Sequence, residues 1–336
     1  MEAAGTLAAE HNKTHLDGPV WVSDFRVLGL PLSETSDAEV LCRYLFAKQT
    51  QDGFLPSDNR TGAATLPIQG LLLEQLRQSS KKSAAFLAPA LRAAFHRTMA
   101  WHRYLYEHRD PAGEGLLVIQ HPDEDGFGNA PGYPIQPFQI QDPFFNTCLA
   151  ASNEALVSLG HFLKEDIGEA THWYELTVHT MNEKLWNEAT ASYQAYDLDA
   201  DELIHVPTLA GLLPMLAEVP DQAQAERMLT LLESQVWKDE DYRMYPSCGI
   251  DRVELDAPQG WNGAVSPALN WMLYKGLKRY DFNETAERLR RHTLQLVSEY
   301  GFHTAYDSRK QKQGHPGIGA PSSAAAAALA LHWLLK

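Results

Sequence analysis

The sequence predicts an all-α chain, a single domain over residues 1–336 whose helices pair into hairpins and close into a double ring. Three observations predict it. About eleven stretches place apolar residues at helical spacing, and strand-like alternation is almost absent. Connections also alternate between short and long, so neighbouring helices pair off and the long joints fall on every second connection. A double ring keeps its inner wall tightly packed, which suits the Ala, Gly and aromatic spacing of these stretches. It gathers the long loops at one end above a central pit.

The elements follow in order. Pro19 to Leu30 has helix-like apolar spacing, with Gly29 and Pro31 to end it. Ser36-Asp37 can cap the next helix, whose apolar positions Val40, Leu41, Tyr44, Leu45 and Phe46 run up to a stop at Gln51-Asp52-Gly53. A helix is expected from Pro67 to Arg77, and a long one opens at Ser83 and runs through Trp101, Tyr104 and His108. Gly115 to Gln120 is short and apolar, a strand or simply extended chain. Phe144 to Phe162 and Thr171 to Trp186 form the next pair, and Asp142-Pro143 supplies an N-cap with proline at the first helical position. Pro207 to Leu216 and Asp221 to Trp237 follow, then Pro267 to Tyr280, Asn283 to Tyr300 and the Ala-rich Ser322 to Leu335.

Composition removes several classes of function. A net charge of −15 with only 28 Lys and Arg residues argues against nucleic acid. No segment has eighteen uninterrupted apolar residues and the start lacks a basic, then apolar, leader, so no membrane span or secretion is expected and the chain reads as cytoplasmic. Cys42, Cys148 and Cys248 are odd in number and widely spaced, as structural thiols are. The histidines show no ligand spacing with acids, so neither a metal nor another cofactor is expected. The oligomeric state is left open.

The long loops hold the unusual residues. His121 to Asn146 is the longest stretch without helical rhythm, and loops of that length in a compact domain are usually functional. It carries Asp123, Glu124 and Asp125 beside a Gly/Pro-rich turn. His121, His205, His303 and His315 all fall in long loops, and imidazole suits proton transfer near neutral pH. Asp307 could pair with His303 or His315. Trp21, Phe54, Tyr133, Tyr245 and Trp261 offer faces for a flat or sugar-like ligand, or packing for the barrel mouth.

Many stretches taken together resemble the family-63 glycoside hydrolases, in particular the short mannosylglycerate-hydrolase and trehalase-like types. They are Trp21 with Phe25, Gln49 to Pro56 (QTQDGFLP), Arg109-Asp110, His121-Pro122 with Glu124, Gly126 and Asn129, and Gln141 to Asn146 (QDPFFN). Later come Leu185-Trp186, Pro246-Ser247, Trp261 with Gly263, Asn270-Trp271, Gly276-Leu277, Gly301-Phe302 and Tyr306-Asp307. The resemblance spans nearly the whole chain and implies an (α/α)6 barrel. It also implies inverting hydrolysis, in which one carboxylic acid protonates the leaving oxygen and a second carboxylate, roughly 6.5–9.5 Å away, activates water.

Both carboxylates of that pattern are replaced. Laying HPWESGxDNSP on HPDEDGFGNAP puts Gly128 at the acid, and laying GFYEYFDP on GFHTAYDS puts Thr304 at the base. Neither side chain does that proton chemistry at neutral pH. Trp21-Val22, Gly260 to Ser266 and Ala320 to Ala325 likewise carry small neutral residues where the family has charged and aromatic ones, which predicts a wider pit. Glu124 and Asn129 keep family positions, Glu124 as a ligand-holding or loop-anchoring group.

Three readings follow. The first is a glycosidase-like protein with a degenerate site, binding a small polar or carbohydrate-like ligand through Trp21, Phe54, Glu124, Asn129, Tyr133, Tyr245, Trp261 and His315. The second is an isomerase, lyase or dehydratase using His303, Asp307, His121 or Asp125 as acid and base. The third is an inverting glycosidase whose acid is Asp125, or Asp123, brought to the vacant place by a small loop shift.

Overall fold

A computed structural model describes residues 20–25, 28, 37–57, 61–80, 83–134, 138–237, 244–249, 259–307, 316–318 and 322–334. In chain order its α-helices are α1 (Val20–Asp24), α2 (Asp37–Phe46), α3 (Gln69–Ser79), α4 (Ala84–Arg109), α5 (Pro143–Leu163), α6 (Gly168–Lys184), α7 (Gln222–Leu232), α8 (Pro267–Arg279), α9 (Asn283–Tyr300) and α10 (Ala324–Leu334). A 3-10 helix, Leu209–Ala217, lies between α6 and α7. Helices α1, α3, α5, the 3-10 helix, α8 and α10 form the inner wall. Going round it, α3 packs on α5, α5 on the 3-10 helix, that on α8, α8 on α10, and α10 back on α1. Helices α2, α4, α6, α7 and α9 lie outside, α4 against α3 and α5, α6 against α5, and α9 against α8 and α10. This is the (α/α)6 arrangement.

Local chemistry sets the boundaries. Asp142 caps α5 by accepting from the Phe145 amide at 2.6 Å, with Pro143 at the first position, where its missing N–H costs nothing. Asp221 and Gln224 make a reciprocal capping box on α7, and Ser266 with Pro267 repeats the cap-proline pattern on α8. The inner wall is buried nearly throughout: all nine residues of the 3-10 helix are buried. Small residues allow the close crossings, since a Cβ at Gly70 would stand 2.5 Å from the Ser152 carbonyl oxygen. The expected α-helix at Pro207 to Leu216 is a 3-10 helix instead. In an α-turn the Pro214 ring would press against the Ala210 carbonyl, which disfavours α winding at this place.

Strands do occur, contrary to the sequence pattern, but each has two or three residues, too few to show alternation. They lie in the long loops and join them. β1 (Ile140–Gln141), β4 (Ala195–Asp197) and β5 (Glu202–Ile204) form one antiparallel sheet, with Ile140 opposite Asp197. β2 (Trp186–Asn187) pairs with β3 (Ser192–Tyr193), and β6 (Ala264–Val265), β7 (Ala305–Asp307) and β8 (Gly317–Ile318) form a third sheet. Gly115 to Gln120 is extended, bridged to β1 through Ile119 and Ile140. Among the described residues no helix is long and apolar enough to cross a membrane.

A buried polar chain ties inner to outer ring. His102 on α4 contacts Asn153 through Nδ1 at 2.6 Å and the Ser152 hydroxyl through Nε2 at 3.1 Å. Asn153 donates to the Tyr106 hydroxyl, which meets Thr177 of α6. Burial lowers the His102 pKa to about 4, against a smaller raising effect of Asn153. Because the folded value lies below the ordinary 6.5, stability is complete above pH 6.5 and is lost as pH falls toward 4, by up to about 3 kcal/mol. His102→Gln should flatten the decline of the urea midpoint between pH 6.5 and pH 4.5. An unchanged slope would refute the assignment.

Candidate functional site

Every long connection leads into an inner segment: 47–68 into α3, 110–142 into α5, 185–208 into the 3-10 helix, 233–266 into α8 and 301–323 into α10. The mouth therefore lies at the N-terminal ends of the inner ring. Loop 110–142 is its hub. The Trp21 indole donates to the Gly126 carbonyl at 2.7 Å, the Trp261 indole donates to the Asp125 carbonyl at 3.0 Å, and Asn129 donates to Gln259 while accepting from the Trp261 amide.

Three acids that are consecutive in sequence have different surroundings. Pro122–Asp125 forms a 3-10 turn in which the His121 Nδ1 accepts from the Asp123 amide, and Gly126 closes it at φ 97°. Glu124 is buried and accepts from the Ala64 and Gln120 amides, both at 2.7 Å, and from both terminal nitrogens of Arg109 at 3.0 and 3.1 Å. Every acceptor direction of that carboxylate serves the loop. Asp125 is also buried and accepts from the amides of Phe127, Gly128 and Ala130 at 2.6–2.7 Å. Burial raises its pKa, opposed by those amides. Asp123 is half exposed, 3.6 Å from the His121 ring nitrogen.

Gly128 has φ 75°, in the left-handed region, and a Cβ placed on it would lie 2.6 Å from Asp123 Oδ1. The loop is thus shaped around a residue without a side chain at 128. Next to it, Phe127 packs edge-on against Trp21 at 5.6 Å and Trp261 at 5.3 Å, and Phe144 packs against the same two rings at 5.4 and 5.3 Å. These four rings close a cluster at the centre of the mouth. The small residues predict a wider pit there; Ala320 and Pro321 lie outside the described residues, and among those described Phe127 packs between Trp21 and Trp261.

A cleft opens beside the cluster. It is narrow, and its lining includes Tyr133, Asp142, Tyr193, Gln194, Thr208 and Trp261. Asp142 is buried; Oδ1 caps α5 and Oδ2 accepts from the Tyr133 hydroxyl. Burial raises its pKa to about 7, the charge of Asp125 adding to the effect, while the Tyr133 hydroxyl and the Phe145 and Phe144 amides oppose it. The folded value lies above the ordinary 3.8, so this group contributes stability at low pH and withdraws it, by up to about 4 kcal/mol, as pH rises from 3.8 through 7. Asp142→Asn keeps a capping side chain and should melt higher than wild type at pH 8 but not at pH 5. A lower melting temperature at both values would contradict this.

The other sequence candidates are dispersed. Phe54 packs on Trp101 and Tyr104 of α4. The Tyr245 hydroxyl donates to Glu233 at 2.7 Å and accepts from Arg288. His205 meets Gln194, itself in the cleft wall, at 2.5 Å. His303 is buried edge-on to Tyr306 at 5.6 Å, and a Cβ at Gly317 would touch its ring. Asp307 is buried in β7 opposite Ala264. His315 lies outside the described residues. The sequence gives Asp142 a reason only as a cap; its pairing with Tyr133 spans nine residues of irregular loop, which no local pattern signals.

Comparison with known proteins gives the family. The profile of the mannosylglycerate hydrolase MGH1-like glycoside hydrolase domain matches residues 20–319. The chain belongs to that family. This member of the MGH1-like family is 29% identical over 312 residues to the mannosylglycerate hydrolase of Thermus thermophilus, covering 76% of this chain and 72% of that protein. It is 27% identical to that of Rubrobacter radiotolerans, covering 66% of this chain and 64% of the relative. The crystal structure of the Thermus thermophilus family-63 enzyme in complex with glucose superposes with a TM-score of 0.81 at 27% identity, over 98% of this chain and 99% of that one. Its complex with Tris and D-glycerate gives 0.81 over 94% and 92%. Yeast neutral trehalase Nth1, at 12% identity and a TM-score of 0.67 over 94% of this chain and 70% of its own, shares the fold.

Proposed function

We propose that this MGH1-like protein binds a small hydroxylated, carbohydrate-like ligand in the mouth of its barrel without the inverting hydrolysis of its family. The observation that carries the reading is Gly128. It stands where the family pattern has the acid, its backbone is left-handed, and a side chain there would meet Asp123. Thr304 at the position of the base supports the same reading, because a hydroxyl does not deprotonate water near neutral pH. The two neighbouring buried acids do not substitute readily: the oxygens of Glu124 and Asp125 are spent on Arg109 and five backbone amides. Ligand binding is supported by the polar cleft beside Asp142 and by one relative, the Thermus thermophilus enzyme, crystallised with glucose and with Tris and D-glycerate.

Isothermal calorimetry against glucose, mannose, D-glycerate and their glycosides tests this. Saturable binding that Tyr133→Phe or Trp261→Phe weakens is expected. Heats indistinguishable from dilution for the whole panel would refute it.

One observation favours a second reading, retained hydrolysis. The Asp123 carboxylate reaches the space that the family acid would start from, 2.6 Å from the position of a Cβ on residue 128. An inverting activity abolished by Asp123→Asn would establish it.

A further inference from the structure

We propose that segment 130–133 is a gate over the cleft beside α5, latched shut by the Tyr133 hydroxyl on Asp142, and that the cleft opens to solutes when this latch parts. The inference goes beyond the ligand-binding reading. The gate is defined by the loop's own contacts and stands whether or not a sugar binds.

The cleft has a roof and a floor of different exposure. Ala130, Pro131 and Tyr133 in its lining are half-buried, whereas Asp142, Tyr193, Ala210 and Trp261 beneath them are buried. The space left between the two admits about one water molecule, far less than a pyranose ring needs. Anything larger reaches the floor only if the roof moves.

The roof is built to move as a unit. Up to Ala130 the loop is fixed, since the amides of Phe127, Gly128 and Ala130 donate to Asp125 and Asn129 clasps the 259–261 segment. Beyond that anchor comes a β-turn of its own, in which the Tyr133 amide donates to the Ala130 carbonyl at 3.4 Å. Pro131 and Gly132, the latter at φ 84°, fill its two central places as a type II turn requires. Among the described residues two contacts hold this turn down on the far side of the cleft. The Gly132 backbone lies on Ile204 and Val206, where a Cβ would stand 2.9 and 2.8 Å from their methyl carbons, and the Tyr133 hydroxyl donates to Asp142 Oδ2. The α5 cap uses the other oxygen, Oδ1. The latch can therefore part without unwinding α5, and parting turns Oδ2 toward the opened cleft.

Thiol labelling tests the gate without a ligand, so no contact of Tyr133 with a sugar enters the reading. Ala210→Cys places a reporter in the buried floor, and Ala286→Cys places a control in the buried face of α9. Alkylation of each by iodoacetamide is followed by peptide mass spectrometry in the full chain, at concentrations where the rate tracks the open population. Tyr133→Phe removes the latch oxygen and keeps the ring. Gly132→Ala sets a methyl against Val206 and strains the turn. Each should speed labelling at residue 210 at least about tenfold, the worth of a hydrogen bond to a carboxylate, and leave residue 286 unchanged. Acceleration in neither variant, in only one, or equally at 210 and 286 would overturn the gate. Selective acceleration together with a sugar panel that gives no heat would leave the gate standing and remove the ligand-binding reading.

Discussion

Arg109→Ala is expected to destabilise the fold by about 3–5 kcal/mol, the cost of stranding one member of a buried ion pair. Glu124 is 1% exposed and Arg109 12%, and the two share a bidentate contact at 3.0 and 3.1 Å. Arg109 is the last residue of α4, and Glu124 also holds the amides of Ala64 and Gln120, so the pair clamps an outer helix and two mouth loops together. Without the guanidinium, the carboxylate must stay charged with only two amides or take up a proton. Arg109→Lys should recover part of the loss, since a single ammonium satisfies charge but not the forked geometry. Adding Glu124→Gln to Arg109→Ala should restore stability relative to the single variant, because the stranded charge is gone. Urea midpoints measure all three. A change below about 0.5 kcal/mol in Arg109→Ala would mean that the pair behaves as an exposed one.

Trp261→Ala should cost a similar amount, about 3–5 kcal/mol, by opening a cavity at the centre of the mouth. Trp261 is 1% exposed, touches Phe127 and Phe144 edge-on at 5.3 Å each, and satisfies the Asp125 carbonyl. Trp261→Phe preserves most of the packing and loses the indole hydrogen bond, a difference of about 1 kcal/mol. Because Phe127 is held between Trp21 and Trp261, the alanine variant should also release the loop that bears Gly128. Hydrogen exchange at the amides of 126–130 should accelerate more in Trp261→Ala than in Trp261→Phe. Equal protection in the two would show that the aromatic cluster does not hold the loop.

The fold was readable because its signals are local and repeated. Caps at Asp142 and Asp221, periodic apolar positions, and alternating joints each sit within a few residues of what they specify. The 3-10 geometry of Leu209–Ala217 was not, although Pro214 marks the reason, and the two- and three-residue strands fall below the length at which alternation exists. The site was readable only in outline. Family spacing pointed to the 121–146 loop and to Gly128 and Thr304 as the positions to compare with the family's acid and base. The anchoring role of Glu124 needed Arg109, fifteen residues away, and Ala64, sixty residues away. Likewise, the ring cluster of Phe127 with Trp21, Phe144 and Trp261 joins separate segments and follows from no spacing rule.

Hydrolysis is the most direct measurement of whether the scaffold keeps its family chemistry. Mannosylglycerate and glucosylglycerate would be incubated with enzyme in molar excess across pH 5 to 8, with release of free sugar and its anomeric form followed by NMR. No release above the no-enzyme control is expected if Gly128 and Thr304 occupy the places of the acid and the base. Release of the inverted sugar, lost on Asp123→Asn, would contradict it and show that a neighbouring carboxylate has taken over the vacant place.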